Sequence, residues 1–312
     1  LKKPFFVLAP MEDVTDAAFR ALVAEQVVKP DVFYTEFTSA DGLALAPEEG
    51  RKKIMQKLAY GEGERPIVAQ FFTGSPAHME SAAELARELG FDGVDINMGC
   101  PERKIEKGNC GAALIKDPAL ARELIRAAKR GAGELPVSVK TRTGYARDEL
   151  DTWLPELLSE CPAAIAIHAR TKKEMSDVPA HWDSIARAVK LRDKLSPETL
   201  IIGNGDVKSL AEARARAKET DCDGVMIGRS AIANPWLWSE HEPSMHERLD
   251  MLVRHAELAE KHYGRFTGNV KKHLTKIPSG FDGAKELRAT IAGAQSFSDI
   301  TALVERFKSG GL

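Results

Sequence analysis

Cys100 has the clearest chemical potential of any residue in this sequence. It stands in the run Asn97-Met98-Gly99-Cys100-Pro101, where Gly99 and Pro101 fix a tight loop beside the amide of Asn97. A thiol with a pKa somewhat above neutral can donate a proton, and a thiolate can attack an electrophile. No His-Asp pair is legible as an activating base, so the residues favour the acid and leave the nucleophile as the alternative. Cys110 lies on the Gly-rich stretch that follows and reads as structural, and Cys161 and Cys222 adjoin apolar runs. Four cysteines without a CxxC pair offer no metal-ligand set and no disulfide framework. They predict a reducing, cytoplasmic setting.

Other polar residues recur at intervals, each just after a short apolar run. They are Pro10-Met11-Glu12, Glu36, Gln70, Asn97 with Cys100, Lys140-Thr141-Arg142, His168-Ala169-Arg170-Thr171, Asn204-Gly205-Asp206 and Gly228-Arg229-Ser230. The apolar runs are 5–8, 32–35, 67–71, 94–97, 137–141, 164–168, 200–203 and 225–227, each continuous enough for a strand buried on both faces. Amphipathic helical patterns fill the intervals, with Ser75-Pro76 and Asp117-Pro118 as starts and Gly90 and Gly131 as stops. Eight alternating units predict an α/β fold, a (β/α)8 TIM barrel with its chemistry at the C-terminal strand ends. Glycine turns after the last two strands are where such barrels cradle phosphate, and Arg229 adds a charged donor. With Lys140 and His168 facing that cradle, the residues suggest flavin mononucleotide. A cation near the flavin N1–O2 edge stabilises the reduced anionic ring, and Lys140 suits that task.

Length and charge complete the outline. The chain has 312 residues, 43% apolar and 29% charged, with a net charge of −2. No apolar run reaches the ~18 residues of a membrane span, and no signal peptide is visible. The strand signal fades near residue 241, which divides the chain into a barrel over 1–240 and a smaller all-helical C-terminal domain over 241–312. From Lys261 to Arg288 seven basic residues face only Asp282 and Glu286, a net of +5 on an otherwise acidic body. A basic module of this kind is a footprint for a polyanion, against the alternative of a solvated helix face.

Several segments together resemble the tRNA-dihydrouridine synthase family. They are Ala9-Pro10-Met11, Val14-Thr15-Asp16 and Phe19-Arg20; Asp95-Ile96-Asn97-Met98-Gly99-Cys100-Pro101 with Lys104; Gly111 to Leu114; Lys140 to Gly144; His168 to Thr171; Asn204-Gly205-Asp206; and Asp223 to Arg229. The likeness runs from about Phe5 to Trp236 and continues more weakly through Lys272-His273 and Glu286-Leu287-Arg288. It implies reduction of uridine in tRNA by bound FMN, with NADPH as electron donor and Cys100 as the acid. It implies that Pro10, Met11, Glu12, Gln70, Asn97, Lys140 and His168 meet the flavin or its ribityl chain. Asn204, Gly205, Asp206, Gly228 and Arg229 would hold its phosphate end. Lys104, Arg142, Arg170, Lys271, Lys272 and Arg288 are the expected tRNA contacts. A monomer is the default expectation. Glu12-Asp13 stands where the family more often has Ala-Gly, and Cys110 where it often has a small residue.

Three other readings share parts of this pattern. A flavin barrel acting on a free pyrimidine would not explain the basic helical end. A non-catalytic RNA-binding barrel would not need Cys100, Lys140 and His168 together. An aldolase using Lys140 as a Schiff base would not need Arg229 and paired glycine turns.

Overall fold

A computed structural model describes residues 2–264, 266, 271, 274, 275, 277, 278 and 281–310. The strands are β1 (Phe5–Leu8), β2 (Phe33–Tyr34), β3 (Thr38–Ser39), β4 (Ile67–Phe72), β5 (Gly93–Asn97), β6 (Val137–Arg142), β7 (Ala164–His168), β8 (Leu200–Asn204) and β9 (Gly224–Ile227). All pair in parallel, in the order β1-β9-β8-β7-β6-β5-β4-β2. A parallel bridge between Val7 and Val32 brings the ends together. The hydrogen bonds Leu8 N–H to Val32 O (3.2 Å) and Asp31 N–H to Phe6 O (2.8 Å) complete the closure. The expected TIM barrel with helices following its strands is therefore present, with one difference. The second strand position is split into β2 and β3, which pair with different stretches of β4. Between them the chain turns Glu36 into the protein, where it is 4% exposed.

Alternation along the strands builds two cores. Outward residues such as Phe71, Ile96, Val139, Ile167 and Ile201 pack under the helices with Met79, Leu124, Trp153 and Ile185. Inward residues of β1, β2, β7, β8 and β9 form a separate apolar plug of Phe5, Val7, Tyr34, Ala166, Ile202 and Met226. Apart from Val68, which packs against the plug, the inward positions of β4, β5 and β6 carry Gln70, Asp95, Asn97, Ser138 and Lys140. One side of the barrel interior is greasy and the other polar. Buried polar groups must find partners, so this polar side is committed to a hydrogen-bond network.

Helix boundaries follow local chemistry. Asp16 caps Ala17–Ala24 by accepting from Phe19 N–H, Ser75 caps Pro76–Glu88, and Asp117 caps Pro118–Ala132. Gly90 ends its helix with φ of 76°, as expected. Gly131 does not end one. The helix runs on to Ala132, and Gly133 takes the positive φ of 62°. Gly131 is glycine for another reason: a Cβ there would lie 2.0 Å from the carbonyl oxygen of Glu80 on the neighbouring helix.

After Ile227 the described residues form no further strand. Met245–Tyr263, Ala284–Gly293 and Phe297–Lys308 are helices. They pack Leu252, Ala256, Leu287, Ile300 and Val304 into one cluster with Ala18 and Leu22 from the first barrel helix. Arg254 adds a two-pronged ion pair to Glu25 (2.9 and 2.7 Å), and the Tyr263 hydroxyl accepts from Ala17 N–H (3.1 Å). The helical end thus shares a core with the barrel. No helix among the described residues is long and apolar enough to cross a membrane.

Gly131→Val should destabilise the fold by about 1–3 kcal/mol through overpacking of this helix pair. Thermal unfolding would show the midpoint a few degrees lower. An unchanged midpoint would mean the two helices do not meet at this residue.

Candidate active site

A cleft of about 780 Å³ opens at the C-terminal ends of the strands. Met11, Lys140, His168, Asn204, Gly205, Gly228 and Arg229 line it, together with the segment 176–179. Pro10, Arg170 and Asp206 also reach it. A second cleft of similar volume lies at the opposite barrel face. There Lys3 is paired with Asp223 (2.6 Å) and Arg214 with Glu240 (2.7 Å).

The C-terminal cleft is organised by one-way hydrogen bonds. Arg170 is 1% exposed, yet each of its three nitrogens has a partner. Nε donates to Val178 O (2.6 Å), one terminal nitrogen to His168 Nε2 (3.0 Å) and the other to the Asp206 carboxylate. A guanidinium cannot accept, so His168 Nε2 must, which puts the imidazole proton on Nδ1. The ring is neutral: burial and then Lys140, Arg142, Arg170 and Arg229 push its pKa down to about 2. The second oxygen of Asp206 accepts from Arg229 (2.8 Å), whose side chain is 64% exposed and free to swing toward a ligand. Burial alone would raise the Asp206 pKa, but Arg170, the Ala180 amide and Arg229 hold it below the usual carboxylate range.

Lys140 projects from β6 beside Asn204, whose Oδ1 accepts from its ammonium (3.3 Å). Asn204 is itself held by donating to Met226 O (2.8 Å). Burial and the neighbouring Arg142 lower the Lys140 pKa to about 8, with Asp95 and Cys100 opposing. Space constrains both glycines, Gly205 more tightly than Gly228. Gly205 has φ of 141°, and a Cβ there would stand 2.7 Å from Ala180 Cβ. A Cβ on Gly228 would approach Met11 Sδ to 3.1 Å at the cleft wall.

Cys100 lies beyond β5 on a loop whose polar groups are nearly all engaged. The amides of Gly99 (3.2 Å) and Cys100 (2.9 Å) donate to Asn97 Oδ1. Arg142 Nε donates to Gly99 O (2.8 Å), and Ala112 N–H to Cys100 O (2.9 Å). The thiol is half-buried, and burial raises its pKa, with the Glu102 backbone, Arg142 and Lys140 pulling the other way. At neutral pH it is a protonated thiol, which fits the acid better than the nucleophile. Cys110 donates to Gly108 O (3.0 Å), and burial lifts its pKa to about 12. It is structural, as expected. Cys161 is exposed rather than near-core, and Cys222 is buried.

Several expected contacts sit elsewhere than the sequence suggested. Gln70 is fully buried below the cleft, with both ends of its amide occupied by Asp95 (2.7 Å) and Asn97 (3.1 Å). Each Arg170 nitrogen already has a partner within the protein, at the wall of the cleft. Arg142 is 7% exposed and joins Gly99 O to Thr171 O (3.1 Å) and Met175 O (3.0 Å). Lys104 is exposed, four residues beyond Cys100. Lys271 donates to Ala292 O (3.3 Å), Arg288 to Pro278 O (2.7 Å), and Lys272 lies outside the described residues. Glu12 pairs with Lys57, and its second oxygen is buried without a partner. Glu36 accepts from Asp13 N–H (2.6 Å), and burial lifts its pKa to about 7. Asp13 adopts φ of 54°, a conformation natural to glycine and tolerated by aspartate. The expected site residues included neither Asp95, which is buried beneath the cleft beside Gln70, nor the segment 176–179, which lines it. Only strict alternation along β5 could have pointed Asp95 inward.

The family description "Dihydrouridine synthase (Dus)" matches residues 7–308. The chain belongs to the dihydrouridine synthase family. A Bacillus subtilis (strain 168) relative, "Probable tRNA-dihydrouridine synthase 2", is 42% identical, with 99% of this chain and 95% of the relative aligned. A Staphylococcus aureus (strain COL) relative, "Probable tRNA-dihydrouridine synthase", is 40% identical over 99% of this chain and 94% of its own. Among solved structures, morphinone reductase in complex with tetrahydroNAD superposes with a TM-score of 0.52 at 14% identity, over 74% of this chain and 84% of that one. At that identity it supports the barrel architecture alone. For the dihydrouridine synthase family, the matched span takes in the C-terminal helices as well as the barrel.

Lys140→Met should stabilise the ligand-free protein at pH 7. A lysine whose folded pKa is depressed to about 8 binds fewer protons when folded than when unfolded between pH 8 and its ordinary value near 10.5. Its cost is therefore full below pH 8 and fades above it. Denaturant unfolding at pH 7 and pH 9.5 would show the variant's advantage shrinking. An advantage of equal size at both would mean Lys140 does not titrate in that window.

Proposed function

We propose that the chain reduces uridines in tRNA to 5,6-dihydrouridine, using bound FMN and NADPH as the electron donor. What carries this reading is one juxtaposition in a dihydrouridine synthase-family chain: a protonated thiol, Cys100, on the loop beside a cationic cleft with two glycine turns. The cleft's size falls within the range of ligand sites, roughly 300–1,000 Å³. Its lining fits the cofactor: Arg229 and the backbone at Gly205 and Gly228 suit the phosphate end, where added Cβ atoms would crowd the cradle. Lys140 suits the N1–O2 edge of the ring. Neutral His168 offers its Nδ1–H as a donor while adding no charge, and Pro10 and Met11 cover the apolar side.

A reduced flavin held by Lys140, His168, Arg229 and the backbone at Gly205 and Gly228 would supply the hydride for C6 of the uracil. Cys100 then donates its proton to C5, where negative charge has developed, and its raised pKa keeps that proton in place until the step. Arg142 and Asn97 keep the thiol loop in position. A stacked uracil cannot reach this depth, so the base must be flipped out at a cost of a few kcal/mol. Phosphate contacts from the helical module over 241–312, with Lys271, Lys272 and Arg288, and from Lys104 at the cleft rim, offset that cost. The relatives' names support tRNA over a free pyrimidine, and family membership disfavours a Schiff-base role for Lys140.

The test is an anaerobic spectrum of the purified protein. Flavin absorption should bleach with NADPH and return on adding unmodified tRNA. A colourless protein sinks the reading, and a flavin that ignores tRNA moves the substrate elsewhere. Cys100→Ala should retain flavin and slow reoxidation by tRNA about 10²–10⁴-fold, the usual worth of a positioned acid. Replacing Lys271 and Lys272 with Glu should weaken tRNA binding and flatten its salt dependence while NADPH oxidation continues. Parallel loss of both would indicate misfolding instead.

A further inference from the structure

The polar side of the barrel interior contains a directed chain of hydrogen bonds. Asp95 is fully buried on β5 and is the acceptor at its head. Ser138 Oγ donates to one carboxylate oxygen (2.5 Å) and Gln70 Nε2 to the other (2.7 Å). Gln70 therefore turns its carbonyl the other way, where Oε1 accepts from Asn97 Nδ2 (3.1 Å). Asn97 in turn presents Oδ1 to the amides of Gly99 and Cys100.

Each side-chain amide has a donor end and an acceptor end that differ little in shape. Shape alone therefore does not choose between the two orientations; the hydrogen-bond partners do. A carboxylate distinguishes them, because it can only accept. With Asp95 at one end, reversing Gln70 would set carbonyl against carboxylate. Reversing Asn97 would set its NH2 against the two backbone amides that hold the loop. Both leave buried groups unpaired, which is costly in this setting.

We infer that Asp95 is a positioning residue for Cys100: its carboxylate fixes the orientation of Gln70 and then of Asn97, and so holds the acid loop by its backbone amides. Fully buried itself, it acts through two side chains, out to Gln70 on β4 and back to Asn97 on its own strand β5. The inference rests on the proposed function only in calling Cys100 the acid; the orientation of the amides stands independently of it.

The chain can be reversed by design, which gives a test with a definite sign. Asp95→Asn removes the one-way acceptor at the head. Asn97→Asp places a second carboxylate across Gln70, which cannot donate to both. The double variant restores complementarity with the opposite polarity: Asn at 95 donates to Gln70 Oε1, Gln70 Nε2 donates to Asp at 97, and that carboxylate still accepts from Gly99 and Cys100. Amide hydrogen exchange at Gly99 and Cys100, followed by NMR, reads the loop without any turnover. Each single variant should exchange about tenfold faster there than the wild type, and the double variant should return to within about twofold. In turnover, Asp95→Asn should lower kcat and leave KM for tRNA unchanged.

Singles with wild-type protection, or a double variant worse than either single, would overturn the inference. Restored protection with turnover indifferent to Asp95→Asn supports the relay and overturns the acid role of Cys100. If a single variant does not fold, a neutron structure of the wild-type protein decides. Deuterium on the Gln70 atom facing Asp95 and oxygen on the Asn97 atom facing Cys100 support the inference, and the reverse orientation overturns it.

Discussion

Hydrogen bonds that can run in only one direction organise this active site. An arginine has no acceptor and an ionised carboxylate has no donor. Most other polar side chains here are ambivalent: the amides of Gln70, Asn97 and Asn204 and the imidazole of His168 could each face two ways. Arg170 sets His168, and Asp95 heads the chain that reaches Cys100. The ambivalent groups are thereby held in one arrangement before any ligand arrives. Preorganisation of this kind means that orienting these groups is paid for at folding rather than at the moment of reaction.

The same groups create the electrostatic character of the cleft. Lys140, Arg142, Arg170 and Arg229 converge, while Asp206 and Asp95 answer part of their charge. The excess is positive, and burial first, then this neighbouring charge, depresses the basicity of its members: Lys140 to about 8, Arg142 to about 10 and His168 to about 2. Cations crowded against their preference favour an anion. Both the phosphate and the reduced ring of a flavin are anionic, so a bound flavin would answer this positive excess.

Much of this was legible in the residues. The strand count, the strand ends and the loop with Cys100 followed from spacing, because buried parallel strands leave continuous apolar runs and barrels place chemistry at one end of them. Depth was not legible. Gln70 and Arg170 have the right types for ligand contact, but whether a side chain lies on a wall or behind it depends on the barrel's closure. Asp95 was hidden within a run that scans as an apolar strand. The second strand looked continuous because Val32 to Thr35 is, whereas the turn that buries Glu36 depends on Asp13 and Lys57, distant in sequence. Gly131 shows a related confusion: a glycine near a helix end was taken for its stop, when a neighbouring helix backbone required it.

The C-terminal helices share a hydrophobic core with the first barrel helix, reinforced by Arg254 on Glu25 and by Tyr263 on Ala17. There is no slack joint between the two parts at that contact. Under the proposed function, an RNA gripped by those helices would meet the barrel mouth at a set span and angle, as a workpiece does in a jig. Which nucleotide entered would then be a matter of ruler distance along the folded RNA, and changing that span by a helical turn would move the reaction to a different residue of the same molecule.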